Sequence, residues 1–179
     1  MNVLIIEEKT ITDEMDAGIR RSLCDSFPKE REVFSKTRAW HDSSPAWSVV
    51  LDENSRVLAH VGIIDRIIKV GGENFHIAGI QNVFVIPEYR GKGLSDTVMT
   101  TAMRDASNRN YDFGLLFCIP ELEKVYAKTG WLKIFPGSVS RVDENGDEMP
   151  LPEKNITMYF PLRVVSFPAG KIHLQGNDW

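Results

Sequence analysis

The chain has 179 residues, 42% of them hydrophobic and 26% charged, with a formal net charge of −4. That length allows one domain with a real core, and the acidic balance excludes a nucleic-acid polyanion as the main partner. Cys24 and Cys118, the only cysteines, give neither zinc spacing nor a disulfide framework and fit a reducing, cytoplasmic setting; no apolar run approaches a membrane span, so neither a metal nor a membrane is expected.

Residues 3–6 are a short apolar run that predicts a first strand. Thr12, with Asp13 and Glu14 behind it, reads as a helix start, and Ile19, Leu23 and Phe27 recur at four-residue steps as a buried stripe. Pro28 stops that helix, and residues 28–40, with Val33, Phe34 and Trp40 apolar, predict a second one before the polar break at 41–45. Residues 46–51 and 56–70 read as strands around the turn 52–55. Gly62 inside the second marks a bulge or bend, and Gly71-Gly72 makes a hairpin into a strand over 75–86. Residues 113–118 predict another strand. Pro120 opens a helix through Leu122, Val125 and Tyr126 that Gly130 caps, and residues 131–135 return to strand. Beyond Pro136, the acidic stretch 143–154, with its glycine and two prolines, reads as a loop, and 156–160 and 163–167 read as strands.

The chemistry concentrates around residue 90. Ile80, Val83, Phe84, Val85 and Ile86 make a strand that Pro87, having no N–H for a ladder, brings to an end. Arg90, Gly91, Lys92 and Gly93 form a turn, and Leu94, Val98, Ala102, Met103 and Ala106 follow at helical spacing. A glycine turn opening a helix offers unpaired backbone N–H groups and a positive dipole end, and so predicts a pyrophosphate cradle. A P-loop is excluded because Leu94, not lysine, follows Gly93. A dinucleotide fingerprint is excluded because Asp96 stands at its third glycine.

The run Arg90-Gly91-Lys92-Gly93-Leu94-Ser95, preceded by Val83-Phe84-Val85-Ile86-Pro87-Glu88-Tyr89, resembles the Q/R-x-x-G-x-G/A acyl-CoA loop of the GNAT N-acetyltransferases; Ser95 stands where that family prefers Gly or Ala. The resemblance implies one α/β domain over residues 1–179, mixed and α+β-like, with a central, mostly antiparallel sheet flanked by helices and split beside the cradle. It implies acetyl-CoA as cosubstrate and no metal. The pantetheine arm would lie along Val83, Phe84 and Val85, and the pyrophosphate on Arg90, Gly91, Lys92, Gly93, Leu94 and Ser95, with the backbone amides contributing more than the two cations. Tyr126, in Lys124-Val125-Tyr126-Ala127-Lys128-Thr129-Gly130-Trp131, resembles the family's Y-x-x-x-G-F/W segment, in which the phenol protonates the departing thiolate; read on its own, it is a half-buried helix tyrosine. Many relatives place a glutamate on the strand before the cradle, but Gln81 and Asn82 here cannot take a proton. No base is assigned. His41, His60, His76 and His173 are the titratable alternatives, and His60, flanked by apolar residues, reads as a hydrogen-bonded core imidazole.

Within that superfamily, residues 58–66, Leu-Ala-His-Val-Gly-Ile-Ile-Asp-Arg, resemble a strand of the aminoglycoside 2′-N-acetyltransferases, as does the closing Gly176-Asn177-Asp178-Trp179. This implies that Asn177 and Trp179 join Gln81 and Asn82 at the acceptor site. Rhizobial nodulation N-acyltransferases share the His60-Val61-Gly62 and Lys69-Val70-Gly71 pattern. The match covers residues 56–135 and the last few residues. Gln81 and Asn177 replace carboxylates of the aminoglycoside branch, and Lys29, Arg31, Lys36 and Arg38 stand where an acidic loop is expected. The expected function is acetyl transfer to a primary amine of a small molecule, aminoglycoside-like among the options, by direct attack in a ternary complex. Transfer of a longer acyl chain and a non-catalytic CoA-binding domain are the alternatives. The oligomeric state stays open, with a homodimer among the options.

Overall fold

The computed structural model describes residues 1–152 and 154–179. Strand β1 (Asn2–Glu7) pairs antiparallel with β2 (Trp47–Glu53), β2 with β3 (Arg56–Val70), and β3 with β4 (Glu73–Val85). The turns joining β2 to β3 and β3 to β4 carry positive φ at both central residues, Asn54-Ser55 and Gly71-Gly72, the twist that a two-residue hairpin needs. Helices α1 (Asp13–Ser26) and α2 (Arg31–Phe34) lie between β1 and β2. Thr12 caps α1, its hydroxyl accepting the Met15 N–H at 3.2 Å. Helix α3 (Leu94–Asn108) carries the chain from β4 to β5 (Phe113–Cys118), which pairs parallel to β4. Then come α4 (Glu123–Ala127), β6 (Leu132–Ile134), β7 (Val139–Val142), β8 (Glu148–Pro150), β9 (Ile156–Pro161) and β10 (Ile172–His173). Among the described residues ten strands form one sheet in the order β6-β9-β5-β4-β3-β10-β7-β8, with β2 and β1 branching from β3. Pairing is antiparallel except at β4–β5 and β7–β10. The mixed α/β architecture with a mostly antiparallel sheet is as expected.

Two buried clusters hold it. The first joins Ile19 and Leu23 of α1 and Val98, Met99, Ala102 and Met103 of α3 to β2, β3 and β4, with Leu116 and Cys118 of β5. The second takes Phe113 and Leu115 of the same strand, so it covers the opposite face. There the sheet is closed not by a helix but by Ile172, Leu174 and Trp179 of the C-terminal segment.

Three local expectations are corrected and a fourth is refined. The helix over 28–40 shrinks to a single 3-10 turn, Pro28–Glu30, and the four residues of α2. Beyond it Arg38 is 3% exposed and bonded to Glu8 at 2.6 Å and Asp16 at 2.7 Å, contacts that an exposed helix end could not make. The loop over 143–154 contains strand β8, antiparallel to β7. Residues 163–167 form no strand; Phe167 packs edge-on to Phe113 and Tyr159 instead. The bulge or bend expected at Gly62 is present in the register there, with the extra residue on β4. Gly62 pairs with Gln81 and His60 with Phe84, so Val61 faces both Asn82 and Val83.

Candidate active site

The sheet splits at Gly79. Ile77, Ala78 and Gly79 pair with Phe113, Gly114 and Leu115, and from Ile80 onward β4 has no partner on that side. β5 likewise continues through Leu116, Phe117 and Cys118 bonded only to β9. Trp179 sits at the fork: a Cβ on Gly79 would lie 2.6 Å from its ring, and its ring centroid is 5.5 Å from that of Phe117. The glycine at position 79 is what lets the indole reach the strand. Between the diverging strands is a cleft of about 360 Å³.

At the cradle end, Pro87–Tyr89 form a 3-10 turn and Gly93 is the N-cap of α3. Gly91 and Gly93 both have φ +75°, the left-handed region, and no atom lies within 4 Å of a Cβ at either. The first N–H of the turn of helix to be satisfied is that of Thr97, on the Gly93 carbonyl at 3.2 Å. Among the described residues, the N–H groups of residues 91–96 have no acceptor. Six free donors around two open glycines at a 15-residue helix start fit a pyrophosphate. The side chains contribute unevenly. The Arg90 Nε donates to the Val85 carbonyl at 3.0 Å, and Lys92 lies 4.4 Å over the Tyr89 ring. Leu94 and Phe84 turn their side chains into the core, leaving only their backbones for a ligand.

The bulge bends β4 at the deep end of the cleft. Asn82 has φ +52° there, a conformation asparagine tolerates. Its side-chain amide donates to the Arg38 carbonyl at 2.7 Å, and Gln81 Nε2 donates to the Ser43 carbonyl at 3.1 Å. Both line the cleft, and both amide nitrogens hold the 38–43 loop, while the buried Gln81 Oε1 has no partner among the described residues. Asn177 does not line the cleft. Its side-chain oxygen accepts from Arg141 at 2.5 Å and its carbonyl from Arg66, which also lies 5.0 Å over Trp179. Asp178 is tied to His41 Nδ1 at 2.8 Å, so the last residues are fastened to the loop facing them.

Tyr126 of α4 and Cys118 of β5 also line the cleft. Burial raises the Tyr126 hydroxyl above its ordinary value, and neighbouring Cys118 adds to this. Burial pushes the Cys118 thiol up to about 11, with Glu123 adding to the rise and Lys133 opposing it. Both groups therefore carry their protons at neutral pH. Phe27, Glu30, Phe34 and Trp40 complete the wall. Phe27 and Phe34 have core-like spacing in the sequence, which hides this placement; the signal was Pro28, which breaks the helix and frees apolar residues from a single face.

His60 is fully buried, its Nδ1 bonded to the Asn82 carbonyl at 2.9 Å and its Nε2 to Ser48 Oγ at 3.2 Å. The carbonyl can only accept, so Nδ1 carries the proton. Burial brings the pKa down from 6.5 to about 4; the Asn82 carbonyl opposes the drop and Arg38 adds to it. The unfolded chain therefore binds the extra proton first as pH falls. The stability held above pH 6.5 is expected to drain away between 6.5 and about 4, by about 3 kcal/mol from this group. Urea unfolding of the wild type and of His60→Gln across that window checks this; an equal pH slope in both would remove His60 as the cause.

Among the described residues, no group of three or more His, Cys, Asp or Glu is placed to hold a metal ion, and no helix is long and apolar enough to cross a membrane.

Comparison with known proteins agrees with this geometry. A GNAT family N-acetyltransferase of Escherichia coli, YhbS, solved in complex with CoA, shares the fold with a TM-score of 0.66 at 18% identity, over 98% of this chain and 91% of its own. A GNAT family acetyltransferase of Brucella melitensis, solved in complex with acetyl-CoA, does so with a TM-score of 0.61 at 18% identity, over 96% and 94%. Nodulation protein A of Bradyrhizobium elkanii is 29% identical over 151 residues, 78% of this chain and 67% of that protein. The model of the acetyltransferase (GNAT) domain matches residues 8–134, a span that takes in α1, the split sheet, the cradle and Tyr126. The chain belongs to the GNAT acetyltransferase domain family.

Proposed function

We propose that the protein transfers an acetyl group from acetyl-CoA to a primary amine of a small molecule, by direct attack within a ternary complex. The carrying observation is the run of six unpaired N–H groups around Gly91 and Gly93, opening at the mouth of a split sheet. Acetyl-CoA would supply an activated thioester carbonyl. Residues 91–96 would grip its phosphates through the backbone, and the Val83–Val85 edge, which no strand pairs and where Arg90 Nε holds the Val85 carbonyl, would receive the pantetheine amides. The neutral amine, its first proton lost to solvent, forms the new C–N bond as the C–S bond breaks; Tyr126 gives its proton to the sulfur, and the proton then shed by the new amide nitrogen restores the phenol by way of solvent. The two solved relatives with CoA and acetyl-CoA support the choice of coenzyme.

Direct attack is favoured over an acyl-cysteine route because Cys118, the thiol on the cleft wall, is pushed up to about 11 and is not a thiolate at neutral pH. An aminoglycoside acceptor fits less well. Among the described residues Glu30 is the one carboxylate side chain on the wall; Asn177 is occupied by Arg141, and Gln81, its Nε2 on the Ser43 carbonyl, has one neutral oxygen left without a partner. A longer acyl donor is the second reading, favoured by the apolar wall and by the likeness to nodulation protein A.

Saturating CoA is expected to raise the melting temperature by roughly 5–10 °C, the equivalent of about 2.7 kcal/mol at a hundred times Kd. Acetyl-CoA with Cys118→Ala is expected to release thiol in the presence of an amine within about threefold of the wild type. No thermal shift would remove the coenzyme assignment, and acetylated Cys118 in the mass spectrum would replace direct attack with a two-step route.

A further inference from the structure

We infer that the acceptor is a primary amine with a single positive charge on an aromatic or otherwise apolar body, rather than a polyamine or an aminoglycoside. The inference rests on the acetyl-transfer reading and assigns the chemical class of its second substrate.

The cradle lies past the end of β4, so a coenzyme arm entering from it runs up the strand toward the bulge at Asn82. The 38–43 loop crosses the cleft at that bulge, held by Asn82 on the Arg38 carbonyl and Gln81 on the Ser43 carbonyl. The walls beyond the thioester end therefore come from the segment between α1 and β2, together with the start of α4 and the last residue. They are Phe27, Phe34, Trp40, Leu122 and Trp179, with Glu30 set among them. The rings form a continuous surface: Phe27 and Phe34 centroids are 5.8 Å apart, and Phe34 stacks on Trp40 at 5.7 Å and 29°. Such a wall attracts an apolar body and gives nothing to a row of ammonium groups.

Charge points the same way. Glu30 is half-buried and is the one carboxylate side chain on the wall among the described residues. It can pair with one ammonium. A polycation would have to strip water from its other charges against Phe27, Trp40 and Leu122, with one neutral acceptor, the unpartnered Gln81 Oε1, to offset the loss. A carboxylate amid apolar residues is also a poor lining for an acyl chain, which makes the amine the better occupant. Volume agrees: about 360 Å³ is at the small end for ligand cavities, and the coenzyme arm must share it.

The test titrates 2-phenylethylamine, spermidine and an aminoglycoside into the full-length protein, with and without saturating CoA, following tryptophan fluorescence and heat. Turnover with acetyl-CoA is measured for the same three amines by thiol release. 2-Phenylethylamine is expected to perturb the fluorescence, since Trp40 and Trp179 line the cleft, and to give a kcat/KM at least tenfold above spermidine. Leu122→Arg, on a side chain 37% exposed and so without cost to the core, is expected to weaken its binding at least tenfold while leaving CoA affinity within twofold. Trp40→Ala should do the same, and Glu30→Gln should raise its KM severalfold. Equal or better binding of spermidine or the aminoglycoside would overturn the assignment, as would unchanged amine affinity in both Leu122→Arg and Trp40→Ala. So would a preference for octanoyl-CoA over acetyl-CoA that Leu122→Arg abolishes, because the wall would then belong to the acyl chain. The two readings fail separately: a missing CoA shift removes acetyl transfer, whereas the amine titration alone decides the acceptor class.

Discussion

Replacing Gly93 with valine is expected to weaken CoA binding more than 100-fold while leaving a folded protein. Gly93 is the N-cap of α3 at φ +75°, where a β-branched side chain is strained. That strain costs the fold about 1–2 kcal/mol, or roughly 2–8 °C in Tm for a domain of this size. Nothing inside the protein resists the new side chain, since no atom lies within 4 Å of the position its Cβ would take. On the proposed reading, the same open space is where the phosphates would come to meet the N–H groups of residues 91–96. A hydrogen bond to a charged group is worth about 1.5–3 kcal/mol, so masking two of them removes about 3–6 kcal/mol, past the 100-fold mark. Titration calorimetry with CoA alongside a melting curve separates the local strain from the lost ligand contacts. Gly91→Val shares the φ of +75° and the empty surroundings and gives an independent reading. Binding within fivefold of wild type in both variants would put the phosphates elsewhere.

The strand, glycine turn and helix around residue 90 were readable from the sequence because they are local. A strand, a proline that ends it, two glycines and a helix follow one another within residues 80–106, and each step is dictated by neighbours in the chain. β5 was readable for the same reason, as an apolar run between polar breaks, and the structure gives it the same bounds, Phe113–Cys118. What was hidden depends on partners distant in sequence. By sequence Arg38 is one of four cations standing where an acidic loop is expected. It is instead 3% exposed between Glu8 and Asp16, 30 and 22 residues away. Burial works to raise the Asp16 carboxyl, but Arg20 and Arg38 overcome this and hold it below its ordinary range. β10 is two residues long and exists only because β3 and β7 flank it. The run at 163–167 has strand-like composition, yet its Val164 N–H reaches the Asp112 carbonyl while Phe167 fills the second cluster, so packing overrode propensity.

The acceptor wall shows the same division. Gln81 and Asn82 both line the cleft, and their amide nitrogens face loop carbonyls that no spacing rule could supply. Trp179 reaches the cleft because Gly79 has no Cβ, a fit between positions 100 residues apart in the chain. Asn177, two residues earlier, is drawn off by Arg141 and Arg66. In a regular strand residues 177 and 179 would share a face; these lie beyond β10, outside any strand, so a resemblance over four residues does not say which of them faces the substrate.

Tyr126→Phe is expected to lower kcat by at least 100-fold while leaving the CoA Kd within about twofold and the Tm nearly unchanged. The ring packs against the first core cluster, and phenylalanine keeps that packing. Among the described residues the hydroxyl has no hydrogen-bond partner, so its removal leaves no orphaned group. A phenol raised above its ordinary value is a weak acid, and toward a thiolate in water, with a pKa of about 8.5, the proton transfer would run uphill. The cleft changes that balance. Cys118, a thiol on the same wall, is driven up to about 11 by burial. A coenzyme sulfur released beside it meets the same dry surroundings, and its basicity rises toward that of the phenolate, so the two pKa values approach each other. Loss of a matched general acid costs about 10²–10⁴ in rate. Because the hydroxyl acts only once the C–S bond is breaking, the loss belongs in kcat and not in coenzyme affinity. A kcat within threefold of wild type, measured by thiol release at saturating acetyl-CoA and amine, would show that the sulfur leaves unassisted and that Tyr126 serves the cleft only as a wall.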